Sequence, residues 1–186
     1  MFAERLFGFG EGSRRLYQAD LLPLSLHLLG SREWTAIEPL LGVKRLQDVA
    51  GKALRAEGWS EIADDGFIDL VGPFYHRLID GAHEYAVAAQ PKHRNIRGFV
   101  QGGLLMTFAD RTMGLAAYQE AKHSLATVQM DTQFVDTAKI GELLLSKPRV
   151  IRATRSLIFM STEVKAAGRC TILATAVFKI FREKRG

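Results

Sequence analysis

A single cysteine, Cys170, in 186 residues leaves nothing to pair within the chain, so no disulfide framework holds this fold. Prolines are also few, at 5, and no apolar run approaches the ~20 residues that a membrane-spanning helix needs. No segment repeats and none is of low complexity. The first residues carry Glu4, Glu11 and Asp20 and show no apolar stretch after a basic start, which argues against a secretory signal and makes the cytoplasm the expected compartment. What remains is an ordinary globular composition, 47% hydrophobic and 24% charged, which excludes wholesale disorder. The net charge of +5 favours an acidic partner, for which coenzyme A and nucleic acid both qualify.

Two regions differ in pattern. Residues 1–60 read as a helical N-terminal extension, with helix-like pieces over 21–29, 35–41 and 43–57 broken up by glycine and proline. Residues 61–186 read as the main domain. Strands are expected over 67–74 and 83–89, with a turn at Asp80-Gly81. A long helix follows over 103–121, and then strands over 125–135, 142–153, 157–166 and 170–182. Ala167-Gly168 reads as a hairpin turn. Strands clustered after one helix point to an α+β fold with an antiparallel sheet. Leu104, Leu105, Phe108, Ala109, Thr112, Met113, Ala116 and Ala117 form a wide apolar stripe, so the helix is expected to be buried on most sides.

The chemistry concentrates between His93 and Asp110. Gly102-Gly103 lies just ahead of the long helix, where free backbone N–H groups and the helix dipole can receive a developing oxyanion. Asp110 falls inside an apolar helix, where burial would raise its pKa towards a general base's range. Gly114 lies on the same face, and a mid-helix glycine implies a close approach by something. Eight helical steps separate Gly102 from Asp110, about 12 Å. One carbonyl cannot use both within one chain, so catalysis by both requires a homodimer.

This segment resembles the signature of the phenylacetate-degradation-type thioesterases, a hotdog-fold family: His-x-Asn-x-x-Gly-x-x-His-Gly-Gly with Asp seven residues on. His93, Asn95, Gly98, Gly102, Gly103 and Asp110 match in register, and the resemblance spans about residues 67–183. It implies one long helix wrapped by a curved antiparallel sheet, and hydrolysis of acyl-CoA thioesters with no cofactor beyond the coenzyme A of the substrate. Asp110 would be nucleophile or general base, and the Gly102 N–H the oxyanion donor. Asn95 would position the thioester or the water, with Thr127 helping to orient the water. Dimers of this family usually pair into homotetramers. Gln101 stands where the family has histidine; it can donate a hydrogen bond but does not titrate, which keeps a non-catalytic acyl-CoA binder in play.

His93, Gly103, Met106, Met113 and Gly114 are expected to line the substrate pocket, and Arg152 and Arg155 to meet CoA phosphates. His76, His83 and His93 match no zinc spacing, so no metal is expected, and no Gly-x-Ser-x-Gly elbow supports a serine hydrolase. A helix-turn-helix over 37–58 would make the chain an acyl-CoA-sensing regulator. Pro39 and the near balance of charge in residues 1–60 count against nucleic acid as partner.

Overall fold

The computed structural model describes residues 43–182, with side chains from Asp48 onward except Val49. The expected helical pieces at 21–29 and 35–41, and the first half of the helix-turn-helix, lie outside the described residues. Helix α1 runs Val43–Ala56 and ends before Gly58, at φ +83°. After it come β1 (Ser60–Glu61), α2 (Gly66–Val71), β2 (Tyr75–Ile79), β3 (Ala82–Ala88), a 3-10 turn (Pro91–His93) and the long helix α3 (Gly102–Ala121). Five further strands complete the fold: β4 (Ser124–Phe134), β5 (Leu143–Ser146), β6 (Arg149–Ala153), β7 (Leu157–Ala166) and β8 (Arg169–Phe181).

All pairings are antiparallel, in the order β1-β2-β3-β5-β7-β8-β4, with β6 also paired to β7. The sheet curves around α3, which touches β3 to β8. This is the α+β hotdog arrangement. The expected stripe of eight residues matches the buried face of α3 residue for residue. Phe74, Phe108, Met160, Ile172 and Phe178 complete the core against it, with Phe74 set edge-on to Phe108 at 5.2 Å. The two hairpin turns, Asp80-Gly81 and Ala167-Gly168, both place two consecutive residues at positive φ, the backbone twist that a two-residue hairpin needs.

Helix α1 covers the opposite face of the sheet at β2, β3 and β5, where Leu54, Trp59, Tyr75 and Ala86 pack with Leu143 and Leu145. Beside this second cluster, the Arg77 guanidinium lies 4.1 Å from the Trp59 ring. Arg77 donates twice to Glu84, whose carboxylate also pairs with Lys147 and is nearly buried.

Three expectations are corrected. Residues 67–74 are not a strand: they form α2 and a turn, because Phe67, Ile68, Leu70 and Val71 show no two-residue alternation and Pro73 then stops any helix. The strand is β2, immediately after. The expected strand 142–153 divides into β5 and β6 at Lys147-Pro148, since Pro148 has no N–H to give a ladder. Helix α3 is not buried on most sides. Met106 and Tyr118 are exposed, and Asp110 is only half-buried at the edge of that open stripe.

Candidate functional site

The approach to α3 is a loop whose backbone is almost fully bonded. His93 anchors it. Its ring is 4% exposed, and both nitrogens are used: Nδ1 accepts from the Gln90 N–H (3.0 Å), and Nε2 donates to the Val71 carbonyl (2.9 Å). Desolvation, with a smaller contribution from Lys92, outweighs the Val71 bond and pushes its pKa down to about 4. A substrate-facing role for His93 is therefore corrected: the ring fastens the loop to the end of α2. The His93 carbonyl accepts from the Gln101 N–H (2.8 Å), so the anchor reaches the start of α3 directly.

Asn95 builds the turn between them. Its Oδ1 accepts from the N–H groups of Arg97 (2.9 Å) and Phe99 (3.2 Å), while Gly98, at φ +88°, donates to the Asn95 carbonyl. The Asn95 side-chain oxygen is thus committed to the loop, and its half-exposed amide NH2 is the end left to face a substrate.

At the helix start, the Gln101 side-chain oxygen accepts from Gly103 N–H as an N-cap, and the Leu104 N–H returns to the Gln101 carbonyl (3.0 Å). Gln101 therefore serves the helix terminus first. The Gly102 N–H has no hydrogen-bond partner among the described residues, so it is the first-turn donor left for a ligand. Gly103, whose N–H is capped, is not that donor.

Strand β4 supplies the other wall. Asp131 and Gln133 line a concavity of about 670 Å³ on the outer face of the sheet, together with Lys147, Arg149, Glu163 and Lys165. Alternation along the strand then turns Met130, Thr132 and Phe134 towards α3. By the same parity Thr127 would point outward with Asp131. A β-bulge between Thr127 and Gln129, which leaves Val128 as the extra residue, reverses it. Thr127 now shares the face of its partner Phe178, and its Oγ1 donates to Asp110 Oδ1 at 2.9 Å. Asp110 and Thr127 are thereby brought together across 17 positions of sequence.

The remaining expected residues divide. Gly114 has its close neighbour inside the chain, since a Cβ there would lie 3.4 Å from the Phe178 ring. Met113 is fully buried in the core, which corrects its placement in a pocket; Met106, 40% exposed on the open stripe, keeps a position a ligand can reach. Arg152 and Arg155 are exposed, one on β6 and one in the turn after it, and neither has an ion-pair partner among the described residues. Two features escaped the sequence reading. One is the N-cap by Gln101, because glutamine is not a favoured capping residue. The other is Phe134, which packs so closely over Gly102 that a Cβ there would lie 3.0 Å from its ring; no local signal links positions 32 residues apart. Among the described residues no group of three His, Cys, Asp or Glu side chains could hold a metal ion, and no helix is long and apolar enough to cross a membrane.

Comparison with known proteins agrees with the fold. The sequence model of the thioesterase superfamily matches residues 97–172. A protein of Pseudomonas aeruginosa, named for an inferred esterase activity, is 32% identical over 117 residues, covering 61% of this chain and 87% of that protein. The acetyl-coenzyme A thioesterase of Rattus norvegicus is 35% identical over 85 residues, which cover 45% of this chain but only 15% of that much longer protein. A substituted form of the phenylacetic acid degradation protein of Thermus thermophilus superposes with a TM-score of 0.57 at 19% identity, over 63% of this chain and 100% of its own.

Proposed function

This chain belongs to the thioesterase superfamily and is a thioester hydrolase, and on that premise we propose that it cleaves acyl-CoA thioesters to the free acid and coenzyme A. The observation that carries the reading is the pair of separated devices on α3. An unpartnered N–H at Gly102 opens the helix, and a carboxylate at Asp110, held by the Thr127 hydroxyl, sits two turns further on. The thioester oxygen binds at the Gly102 N–H, where the helix terminus stabilises the charge it gains in the transition state. Asp110 either takes a proton from the attacking water, and that proton passes to the departing sulfur so that coenzyme A leaves as the thiol, or attacks the carbonyl carbon itself. The direct attack expels the thiolate and forms a mixed anhydride, which a water then hydrolyses to the free acid while its proton goes to the thiolate. Asn95 orients the thioester through its free amide, and the exposed Arg152 and Arg155 meet the phosphates. The named activity of the rat relative, acetyl-coenzyme A hydrolysis, supports coenzyme A as the carrier.

The reading requires two chains. With Gly102 and Asp110 about 12 Å apart along one helix, the donor and the carboxylate at any one carbonyl come from different protomers. The surface suits such a union. Among the described residues strand β4 is an 11-residue sheet edge bonded to β8 alone, and Val128 and Phe134 on it, with Val135 just past its end, stand more than half exposed. An edge of that length invites pairing with another strand. A homodimer is the minimal catalytic unit, and further pairing into a homotetramer adds nothing the site itself requires.

The test is thiol release from a panel of aliphatic and aromatic acyl-CoAs by wild type and Asp110→Asn, with sedimentation run on both. Turnover that falls at least 1000-fold in the variant while the dimer persists is the expected result. Acyl-CoA binding without turnover by the wild type would overturn the reading in favour of a non-catalytic binder.

A further inference from the structure

Phe134 is a large aromatic residue left 56% exposed, yet its ring is not idle. It faces α3 at the last position of β4, and its Cε1 and Cζ lie 3.0 and 3.2 Å from where a Gly102 Cβ would be. The ring edge therefore sits over the one residue of the first helical turn whose N–H is left for a ligand. Behind it, the strand is held in register by Ile172, a core residue, so the ring has a fixed base even though its outer face is open.

From this contact we propose that Phe134 is a specificity-determining residue of the thioesterase site. Its ring forms the wall beside the Gly102 oxyanion donor and sets how bulky an acyl group can flank the bound carbonyl. The inference rests on the thioesterase reading. A carbonyl oxygen at hydrogen-bond distance from the Gly102 N–H places its carbon, and the first atoms attached to it, within van der Waals reach of the ring. A small acyl group passes beside the ring. A branched or aromatic one meets it. The same contact explains why position 102 is glycine: a side chain there would displace the ring, although the backbone lies outside the left-handed region and tolerates any residue.

The test compares kcat/KM for benzoyl-CoA with that for acetyl-CoA, and quotes only the ratio. A pocket wall moved by one or two carbon atoms changes such a ratio on the order of tenfold or more. Phe134→Ala is expected to raise the ratio at least about tenfold, Phe134→Leu by less, and Phe134→Trp to lower it. A second arm tests the contact itself. Gly102→Ala keeps the N–H but collides with the ring, so its kcat/KM on acetyl-CoA should fall. Adding Phe134→Ala to it should restore a large part of that loss. Losses of equal size on both substrates, an unchanged ratio in Phe134→Ala and Phe134→Trp, or no restoration in the double variant would each overturn the proposal. A wild type that turns over neither substrate nor any other acyl-CoA would instead remove the thioesterase reading on which it stands.

Discussion

Acidification should loosen the loop that leads into α3 at Gly102, and the His93 ring gives the size of the effect. The folded protein needs that ring neutral: Nδ1 must accept from the Gln90 N–H while Nε2 donates to Val71, and the ring is almost wholly out of water. Its pKa stands near 4 in the fold against an ordinary 6.5. A group whose folded pKa is depressed in this direction binds its proton more readily in the unfolded chain. The stability it contributes is therefore fully present above pH 6.5 and is lost as pH falls towards 4. The drop from 6.5 to about 4, at about 1.4 kcal/mol for each tenfold change in proton affinity, makes this roughly 3–4 kcal/mol, a large share of the ~5–15 kcal/mol that holds an ordinary domain. The assay is urea unfolding at pH 7, 6, 5 and 4.5 for wild type and His93→Gln, which keeps a neutral donor and acceptor. Carboxylates such as Glu84 add their own acid sensitivity to both proteins, so the difference between the two slopes isolates the imidazole. The wild type should lose stability more steeply below pH 6.5 than the variant. Parallel slopes, or an imidazole that titrates near 6.5 in the native protein by NMR, would refute the reasoning.

Thr127→Val removes a hydrogen bond to a charged acceptor, worth about 1.5–3 kcal/mol, and should lower kcat ~10- to 100-fold, with Thr127→Ser recovering most of it. Steady-state kinetics on one acyl-CoA decides this. Burial raises the Glu84 pKa, but hydrogen bonds from Lys147 and Arg77 outweigh that and hold it below the usual carboxylate value. Glu84→Leu should therefore cost roughly 1–3 kcal/mol in chemical denaturation, because it leaves the part-exposed Arg77 guanidinium against Trp59 without its carboxylate. Val128→Lys puts a charge on the open edge of β4 and should weaken the proposed homodimer at least about tenfold by sedimentation, with activity falling in step. Active monomers would defeat the two-chain site.

Local pattern went far in this chain because several signals agreed. The eight buried positions of α3 follow from helical spacing alone, and both hairpin turns follow from short pairs ending in glycine. That Thr127 belongs to one site with Asp110 came from family resemblance, not from strand periodicity. Alternation counted back from Asp131 puts Thr127 on the outer face, and only the bulge at Val128 reverses it. Residues 67–74 failed for the opposite reason: an apolar run without alternation fits a short helix as readily as a strand, and its exposed Phe67 and Leu70 show that core burial did not decide the matter.

The amino-acid sequence by itself determined the long helix and both hairpin turns, which face of α3 is buried, and that the candidate groups cluster between His93 and Asp110, because these depend on residues within a few turns of one another. The tertiary structure decided what each candidate does. It turned His93 from a pocket-lining residue into a buried anchor, spent Gln101 on capping Gly103, left Gly102 as the open donor, and laid Phe134 across it. The first and last of those outcomes depend on contacts between α2 and the loop, and between β4 and α3. Side chains tens of positions apart carry no periodicity that records their meeting. It is set only when the sheet has curved around the helix.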